Sequence, residues 1–162
     1  SEGAFDTYRR GKTISKAEAL EVLKKSEEEG LVHCTYNVQA GNMFVCNCCS
    51  CCCGILRGMK SFNAPFLLAK SDYFAVIDQE TCAACGFCME ERCPMEAIVE
   101  ENGAYRVNPE RCIGCEVCTT SCPADAIGLI RKPESERDEP PANIVDWYFK
   151  RAGSRGISIR VD

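Results

Sequence analysis

The chain has 162 residues, of which 46% are hydrophobic and 27% charged, a composition typical of one globular domain or two small ones. Its formal net charge is −5 and no basic stripe is concentrated in it, which argues against nucleic acid and favours a redox protein with a basic patch as partner. The unusual feature is the content of 15 cysteines, which either disulfides or metal must explain.

Metal is the better explanation of these cysteines. Their number is odd, several are adjacent in the chain and therefore poorly placed for disulfides, and no secretory signal is visible. No run approaches the roughly 18 apolar residues of a membrane-spanning helix. We therefore expect a cytoplasmic protein without a membrane span, whose thiols bind metal in a reducing compartment.

The first predicted element is an α-helix. Ser15 and Glu18 have the spacing of a capping box, residues 19–29 are helix formers, and Gly30 follows as a stop signal. We expect an irregular segment from there to Asn42.

A cysteine-rich stretch follows, and a second short helix is predicted behind it at residues 55–62, with Pro65 ending this unit. The stretch reads VCNCCSCCCG, residues 45–54, and places six cysteines in eight positions. Together with Cys34, seven thiols lie upstream of residue 70. One cubane iron-sulfur cluster takes four thiolates. The seven thiols therefore predict at least one iron-sulfur cluster in this segment, in addition to those predicted below for the rest of the chain.

The geometry of an extended stretch restricts how these thiols meet a cluster. Neighbouring side chains alternate between faces, so a straight strand does not offer four thiols on one face and a second segment must complete the site. One face of the strand would carry Cys49, Cys51 and Cys53, and the other face would carry Cys46, Cys48 and Cys52. Cys34 or His33 would come from the second segment and complete the site. A zinc ion held by four of the thiols, loosely paired disulfides, and ordinary packing of His33 are the alternatives.

Residues 73–130 contain an internal repeat with a period of 30 residues. Each copy has a strand, three cysteines, a Cys-Pro pair and an Ala-Ile pair. We expect a short helix to begin near each Cys-Pro, and Asn102-Gly103 to make a tight turn between the halves. The predicted strands are residues 74–77, 97–100, 105–107 and 127–130.

The second copy carries an informative ligand spacing. Cys112-x2-Cys115-x2-Cys118-x3-Cys122-Pro123 is the cysteine run of bacterial ferredoxins, in which three cysteines wrap one iron-sulfur cube and the fourth ligates another. With both copies, residues 73–130 resemble the two-cluster bacterial-type ferredoxins. The resemblance implies an α+β fold, the bacterial dicluster ferredoxin fold with pseudo-two-fold symmetry, and two [4Fe-4S] clusters. It implies Cys82, Cys85, Cys88 and Cys122 on one cluster and Cys112, Cys115, Cys118 and Cys93 on the other.

The first copy departs from this spacing at one point. The gap between Cys88 and Cys93 has four residues, MEER, where the ferredoxin pattern has three. Since Cys93-Pro94 is retained, we expect the extra residue to lengthen the loop without moving Cys93. Gly86 and Gly114 lie in the cysteine loops, where they either let backbone N–H groups approach the sulfurs or serve turn geometry. A zinc site or buried structural cysteines are the alternatives for the whole repeat, although zinc knuckles lack paired three-cysteine loops.

The C-terminal part is predicted to be a linker and a helix. Residues 131–142 are charged and proline-rich, and residues 144–152 form an amphipathic helix with Trp147, Tyr148 and Phe149. These aromatic side chains either pack on the parent domain or dock onto another subunit. We therefore divide the chain into a helical cysteine-rich segment (1–70), a dicluster domain (71–131), and a linker with a docking helix and tail (132–162).

Two further resemblances concern the upstream cysteines. Residues 30–70 resemble a region that precedes the two-cluster module in longer anaerobe polyferredoxins, which suggests extra clusters without assigning ligands. Cys52-Cys53-Gly54 resembles a motif of heterodisulfide reductases, which hold a noncubane cluster, although the partner cysteines of that motif are lacking here.

Two functions therefore compete. The first is an electron-transfer protein or electron-wire subunit of an anaerobic redox complex, which passes single low-potential electrons through its clusters. The second is a redox enzyme subunit with a catalytic noncubane or open-site cluster in the cysteine-rich segment. We favour the first, because the sequence has no dinucleotide-binding loop and no nucleophile elbow. We expect no catalytic activity of the chain by itself.

Overall fold

A computed structural model of the chain describes residues 12–64 and 67–160. Within these ranges the chain forms three α-helices and six short strands, in agreement with the predicted α+β class. The elements are α1 (Lys16–Glu28), β1 (Val32–Cys34), β2 (Cys46–Cys48), α2 (Gly54–Phe62), β3 (Tyr73–Ile77), β4 (Ile98–Glu101), β5 (Ala104–Val107), β6 (Ile127–Arg131) and α3 (Ile144–Gly153).

Helix α1 begins with the predicted capping box. The Glu18 amide donates to Ser15 Oγ at 3.2 Å, and the Ser15 amide donates to Glu18 Oε2 at 2.7 Å. This second bond lowers the pKa of the Glu18 carboxyl. The chain leaves the helix through Gly30, whose φ of +76° lies in the region that glycine adopts without strain. The prediction of this helix is confirmed.

Strands β1 and β2 form an antiparallel hairpin in a segment that we expected to be irregular as far as Asn42. Val32 lies opposite Cys48, and Cys34 opposite Cys46. Each strand has only three residues, too few for a period of two to be visible in the sequence.

Helix α2 occupies the residues predicted for the second helix, beginning one residue earlier. Asn63 ends it in a left-handed conformation with φ of +48°, and its amide donates back to the Met59 carbonyl. Pro65, which we expected to end this unit, lies outside the described residues.

The two halves of the repeat are interlocked. Strands β4 and β5 pair across Asn102 and Gly103, which have φ of +55° and +78°, so the predicted tight turn is confirmed. Strand β3 pairs with β6, which places Tyr73 opposite Arg131 and Ile77 opposite Ile127. The first strand of the first half is therefore bonded to the last strand of the second half.

The helical turn of the first half precedes Cys-Pro instead of beginning there, and this corrects our prediction. Residues Cys88–Arg92 form one π-helical turn, which is closed by a 2.9 Å hydrogen bond from the Cys93 amide to the Cys88 carbonyl. Cys93 itself is extended, with φ of −73° and ψ of 106°, as expected for a residue before proline. A helix therefore does not continue through this position.

Two apolar clusters form the core, and the first of them joins the N-terminal part of the chain to the repeat. Core 1 consists of Val32, Leu56, Met59, Met95, Ala97 and Val117. Core 2 lies within the repeat and consists of Ala75, Cys88, Ile98, Cys118 and Ile127. Since core 1 draws on both sides of residue 70, the N-terminal segment and the repeat are packed as one body.

The segment before the last helix is held by backbone hydrogen bonds. The amides of Gln39 and Ala40 donate to the carbonyls of Pro141 and Ala142 at 2.9 and 3.0 Å. Helix α3 agrees with the predicted helix, and the Asn143 side chain caps its N-terminus. None of the α3 residues, all of which are described, is buried.

The helices found in residues 12–64 and 67–160 are all too short or too polar to cross a membrane.

Candidate metal centres

The first candidate centre, site A, is a cavity lined by four cysteines. Cys82, Cys85 and Cys88 come from the loop and turn after β3, and Cys122 comes from the second half of the repeat. Apolar groups such as Ile77 and Ile127 complete the wall of the cavity.

The second candidate centre, site B, has the same construction with the halves exchanged. Cys112, Cys115 and Cys118 follow β5, and Cys93 reaches across from the first half. Apolar groups such as Ala75 and Ile98 complete the wall of this cavity. The structure thus brings together the two sets of four cysteines that the resemblance implied.

A matching pair of amide-to-sulfur hydrogen bonds positions the two crossing cysteines. The Ala97 amide donates to Cys93 Sγ at 3.2 Å, and the Ala126 amide donates to Cys122 Sγ at 3.4 Å. The extra residue of MEER leaves this bond in place, because the π-helical turn absorbs it before Cys93. Such N–H donors stabilise negative charge on a metal-bound sulfur.

Sequence reasoning missed these two amides, although their signal was visible. Each Cys-Pro pair is followed by an Ala-Ile pair, and the alanine of that pair is the donor in both halves. The alanine recurs at the same position in both copies, but the donor is its backbone amide. The type of side chain therefore does not predict this hydrogen bond.

The electrostatics of the two sites favours a bound cationic group. Burial raises the pKa of Cys118 to about 12 and that of Cys115 to about 11. The pKa of Cys88 is also raised, mainly by burial and then by the neighbouring Cys85. Thiolates are therefore stable in these cavities only when a metal offsets their charge. Four thiols around an apolar cavity, with amides directed at the sulfurs, fit an iron-sulfur cluster.

A side chain at either glycine of the two cysteine loops would contact other groups of the protein. Gly114 has φ of +63°, and a Cβ atom there would lie 2.3 Å from the Tyr73 carbonyl oxygen. Gly86 has φ of +76°, and its Cβ would lie 3.0 Å from the Tyr105 hydroxyl. Turn geometry thus requires glycine at both positions, and Gly114 also allows the loop to approach β3.

The seven upstream thiols separate into two groups. Three of them share one face of the β1–β2 hairpin, because Cys34 and Cys46 are directly opposed and Cys48 lies two residues further along β2. With Cys53, the residue before α2, these form a set that we call the hairpin quartet. The second set, the turn trio, consists of Cys49, Cys51 and Cys52.

The sulfurs of the turn trio all lie within 4.8 Å of one another. The Cys51 thiol donates to Cys49 Sγ at 2.8 Å, and this bond is the main cause that lowers the pKa of Cys49 to about 7. Our expected division by alternating faces differs from this grouping. The reason is local, since β2 ends at Cys48 and the next residues turn, with the Cys53 amide bonded to the Cys49 carbonyl at 3.1 Å.

His33 is not brought to these thiols. It lies opposite Asn47 in the hairpin, on the face away from Cys34, and its Nδ1 is 2.8 Å from Asn47 Oδ1. The imidazole therefore has a partner of its own on the exposed side of the hairpin.

Part of the chain is similar to known proteins. Residues 75–129 match the model of the 4Fe-4S dicluster domain. Over 62 residues the chain is 45% identical to the indolepyruvate oxidoreductase subunit IorA of Methanothermobacter marburgensis, covering 38% of this chain and 9% of that protein. It is 38% identical over 58 residues to the pyruvate synthase subunit PorD of Methanocaldococcus jannaschii, covering 35% of this chain and 66% of that protein.

A third relative is the Ferredoxin-1 of Caulobacter vibrioides, 39% identical over 59 residues, which are 35% of this chain and 48% of the relative. The chain thus spans less than two thirds of the length of each of these curated relatives. Residues 75–129 are thus similar to the 4Fe-4S dicluster domain and to ferredoxins.

Proposed function

We propose that the chain is an iron-sulfur electron-transfer protein, or the electron-wire subunit of an anaerobic redox complex. In this function Cys82, Cys85, Cys88 and Cys122 hold one [4Fe-4S] cluster in site A, and Cys112, Cys115, Cys118 and Cys93 hold another in site B. The cysteine-rich segment upstream holds at least one further cluster. Such a cluster accepts and releases one electron at a time at low potential.

The observation that carries this proposal is the pair of matching cavities, each lined by four thiols. The two sites are also neighbours, because Cys88 of site A and Cys118 of site B are both members of core 2. Their shared wall consists of small and branched apolar side chains, which exclude water from the space between the sites. An electron that enters one cluster thus has a short dry path to the other.

The role as a subunit is supported by the surface of α3 and by the relatives. Val145 and Tyr148 are more than half exposed, and Phe149 is 42% exposed. Two of the relatives are named as subunits of oxidoreductases or synthases. We infer that this chain likewise passes electrons to or from a protein partner, with α3 as a docking helix.

The test uses the full chain, purified without oxygen and assayed for iron, sulfide and the EPR spectrum after reduction. Cys88→Ala should remove about four irons from site A, and Cys118→Ala about four from site B, each leaving the other cluster reducible. Cys51→Ala is the matched control, since this thiol lies outside both cavities. Full-length protein with about four irons or fewer, or clusters that do not take up electrons reversibly, would overturn the proposal.

A second function, catalysis at an open cluster, is favoured by one observation. Cys51 and Cys52 of the turn trio are exposed, so a substrate has access to them. A subunit that reduces disulfides at such a cluster would lose both turnover and the iron of that cluster in the Cys51→Ser and Cys52→Ser variants. Absence of any turnover by the reduced wild-type protein would leave electron transfer as the function.

A further inference from the structure

We propose that the hairpin quartet, Cys34, Cys46, Cys48 and Cys53, holds a third cluster of the [4Fe-4S] type beside site B, and that the turn trio supplies none of its ligands. This inference deepens the proposed function and rests on it for the role of the cluster. It assigns four ligands among seven available thiols.

The backbone brings the quartet together. Opposed residues of an antiparallel pair have Cα atoms about 4.5–5.5 Å apart, and Cys34 and Cys46 are such a pair. Cys48 projects from the same face of β2, two residues further along. Cys53 packs against core 1 together with Cys34 and Cys48, which places the fourth thiol within the same group.

The position of Cys53 suits a thiolate ligand. It is the N-cap residue of α2, where the backbone amides are free of helical partners and the helix dipole favours negative charge. The N-terminus of α2 therefore lies beside one member of a four-thiol group.

The spacing of the sulfurs distinguishes a cluster from a single ion. One zinc ion holds its sulfurs at about 2.3 Å from the metal, so its ligands crowd together. Among the described residues, such a tight group is found only in the turn trio, where three sulfurs lie within 4.8 Å of one another. The quartet does not form such a tight group, because no three of its sulfurs lie within 4.8 Å of one another.

The surroundings of the quartet place it next to site B. Cys34, Cys48 and Cys53 pack against core 1, and so do three of the site B cysteines, Cys93, Cys112 and Cys115. Val32, Leu56 and Val117 belong to this core and are each at most 2% exposed. Both candidate centres therefore lie against the same buried apolar cluster.

This placement gives the three centres a linear order. The quartet contacts core 1, site B contacts both cores, and site A contacts core 2. An electron that leaves a reduced cluster in site A oxidises that cluster and reduces site B, and the next transfer oxidises site B and reduces the quartet cluster, or the sequence runs in reverse. The quartet end of this row lies in the β1–β2 hairpin and at the N-cap of α2.

The experiment compares alanine variants of the two thiol groups in the full chain, purified without oxygen. We expect wild-type protein to carry about twelve irons, Cys34→Ala and Cys46→Ala about eight, and the controls Cys49→Ala, Cys51→Ala and Cys52→Ala about twelve. The reduced wild type should also show spin coupling between the third cluster and site B, and this coupling should disappear in the Cys46→Ala variant.

Each alternative result has a defined meaning. Loss of four irons in the trio variants instead of the quartet variants would overturn the ligand assignment, and eight irons with about one zinc that the quartet variants lose would overturn the cluster type. If Cys34→Ala fails to fold, Cys46→Ala decides, because Cys46 is not among the residues packed against core 1. Wild-type protein with twelve irons but no reversible reduction would instead overturn the proposed function and leave the ligand assignment standing.

Discussion

The guanidinium of Arg92 donates hydrogen bonds to the carbonyls of Glu28 and Glu27, at 3.0 and 2.9 Å. Arg92 is the last residue of the four-residue gap MEER, and Glu28 is the last residue of α1. The arginine therefore binds carbonyls of the last turn of α1 and attaches this helix to the repeat. The gap that makes the first copy irregular thus contains a residue that joins the two parts of the chain.

Replacement of Arg92 tests this attachment. Arg92→Ala should lower the stability of α1 by about 1–3 kcal/mol, since two charge-assisted hydrogen bonds are lost. Amide hydrogen exchange should become faster in α1 while the iron content stays constant. Arg106→Ala is the control, because Arg106 makes only an exposed ion pair with Glu101. Equal protection of α1 in both variants would show that Arg92 is not needed to hold the helix.

Deletion of Glu91 tests the π-helical turn separately from the cluster. The shortened gap has three residues, as in the second copy, and the Ala97 amide remains available to position Cys93. We expect site B to keep its iron. Amide hydrogen exchange in α1 should become faster, as in Arg92→Ala, because it is the π-helical turn that places the arginine against this helix. Glu91→Ala serves as the control of unchanged length. Loss of iron on deletion would mean that Cys93 depends on the longer gap.

Glycine 114 provides a test of the close approach to β3. In Gly114→Ala the new methyl group would collide with the Tyr73 carbonyl and the backbone would stay at positive φ. Together these effects should cost about 3 kcal/mol and reduce the iron bound in site B. Gly128→Ala is the control, since a Cβ there meets nothing within 4 Å. Thermal unfolding of the iron-loaded proteins gives the comparison, and similar midpoints for both variants would contradict the expectation.

Removal of α3 tests the docking surface. A chain ending at Asn143 should keep its iron and its spectra, because α3 buries no residue, and should lose its partner in anaerobic copurification. Trp147→Ala and Phe149→Ala should weaken partner binding in the same direction. Trp147 is half-buried on the helix with Arg151 over its ring at 5.1 Å, whereas Phe149 is exposed. If the shortened chain retains the same partner, another surface makes the contact.

The shared core makes a prediction about the repeat expressed alone. A fragment from residue 67 to residue 131 lacks Val32, Leu56 and Met59, and would expose Met95 and Val117 of core 1. We expect it to bind about eight irons and to unfold several kcal/mol more easily than the full chain. Denaturant unfolding of both iron-loaded proteins measures the difference. Equal stability would show that core 1 contributes little to the repeat.

Local signals in the sequence predicted much of this structure. The capping box of Ser15, the turn at Asn102 and the helix before Phe62 depend on neighbouring residues, and all three are present. The pairing of β3 with β6 joins residues at least 50 positions apart, and no local pattern encodes it. The same holds for the hairpin of β1 and β2, whose three-residue strands are too short to show a period.

For sites A and B, the repeated spacing of the cysteines was enough to predict which four thiols come together. The thiols of sites A and B line two cavities in the combination that the resemblance implied. The upstream thiols were harder, because their grouping depends on where β2 ends and the turn at Cys49 begins. A sequence with six cysteines in eight positions contains several possible ligand sets, and only the backbone path distinguishes them.

The pairing of β3 with β6 also sets the order in which the protein matures on the ribosome. During synthesis the hairpin quartet is complete once Cys53 has emerged, long before any other set of four thiols. Site B waits for Cys118 and site A for Cys122, and β3 has no strand partner until Arg131 is made. The nascent chain therefore presents open cysteine loops for as long as it takes to translate the second half, so cofactor delivery to sites A and B must be a late event.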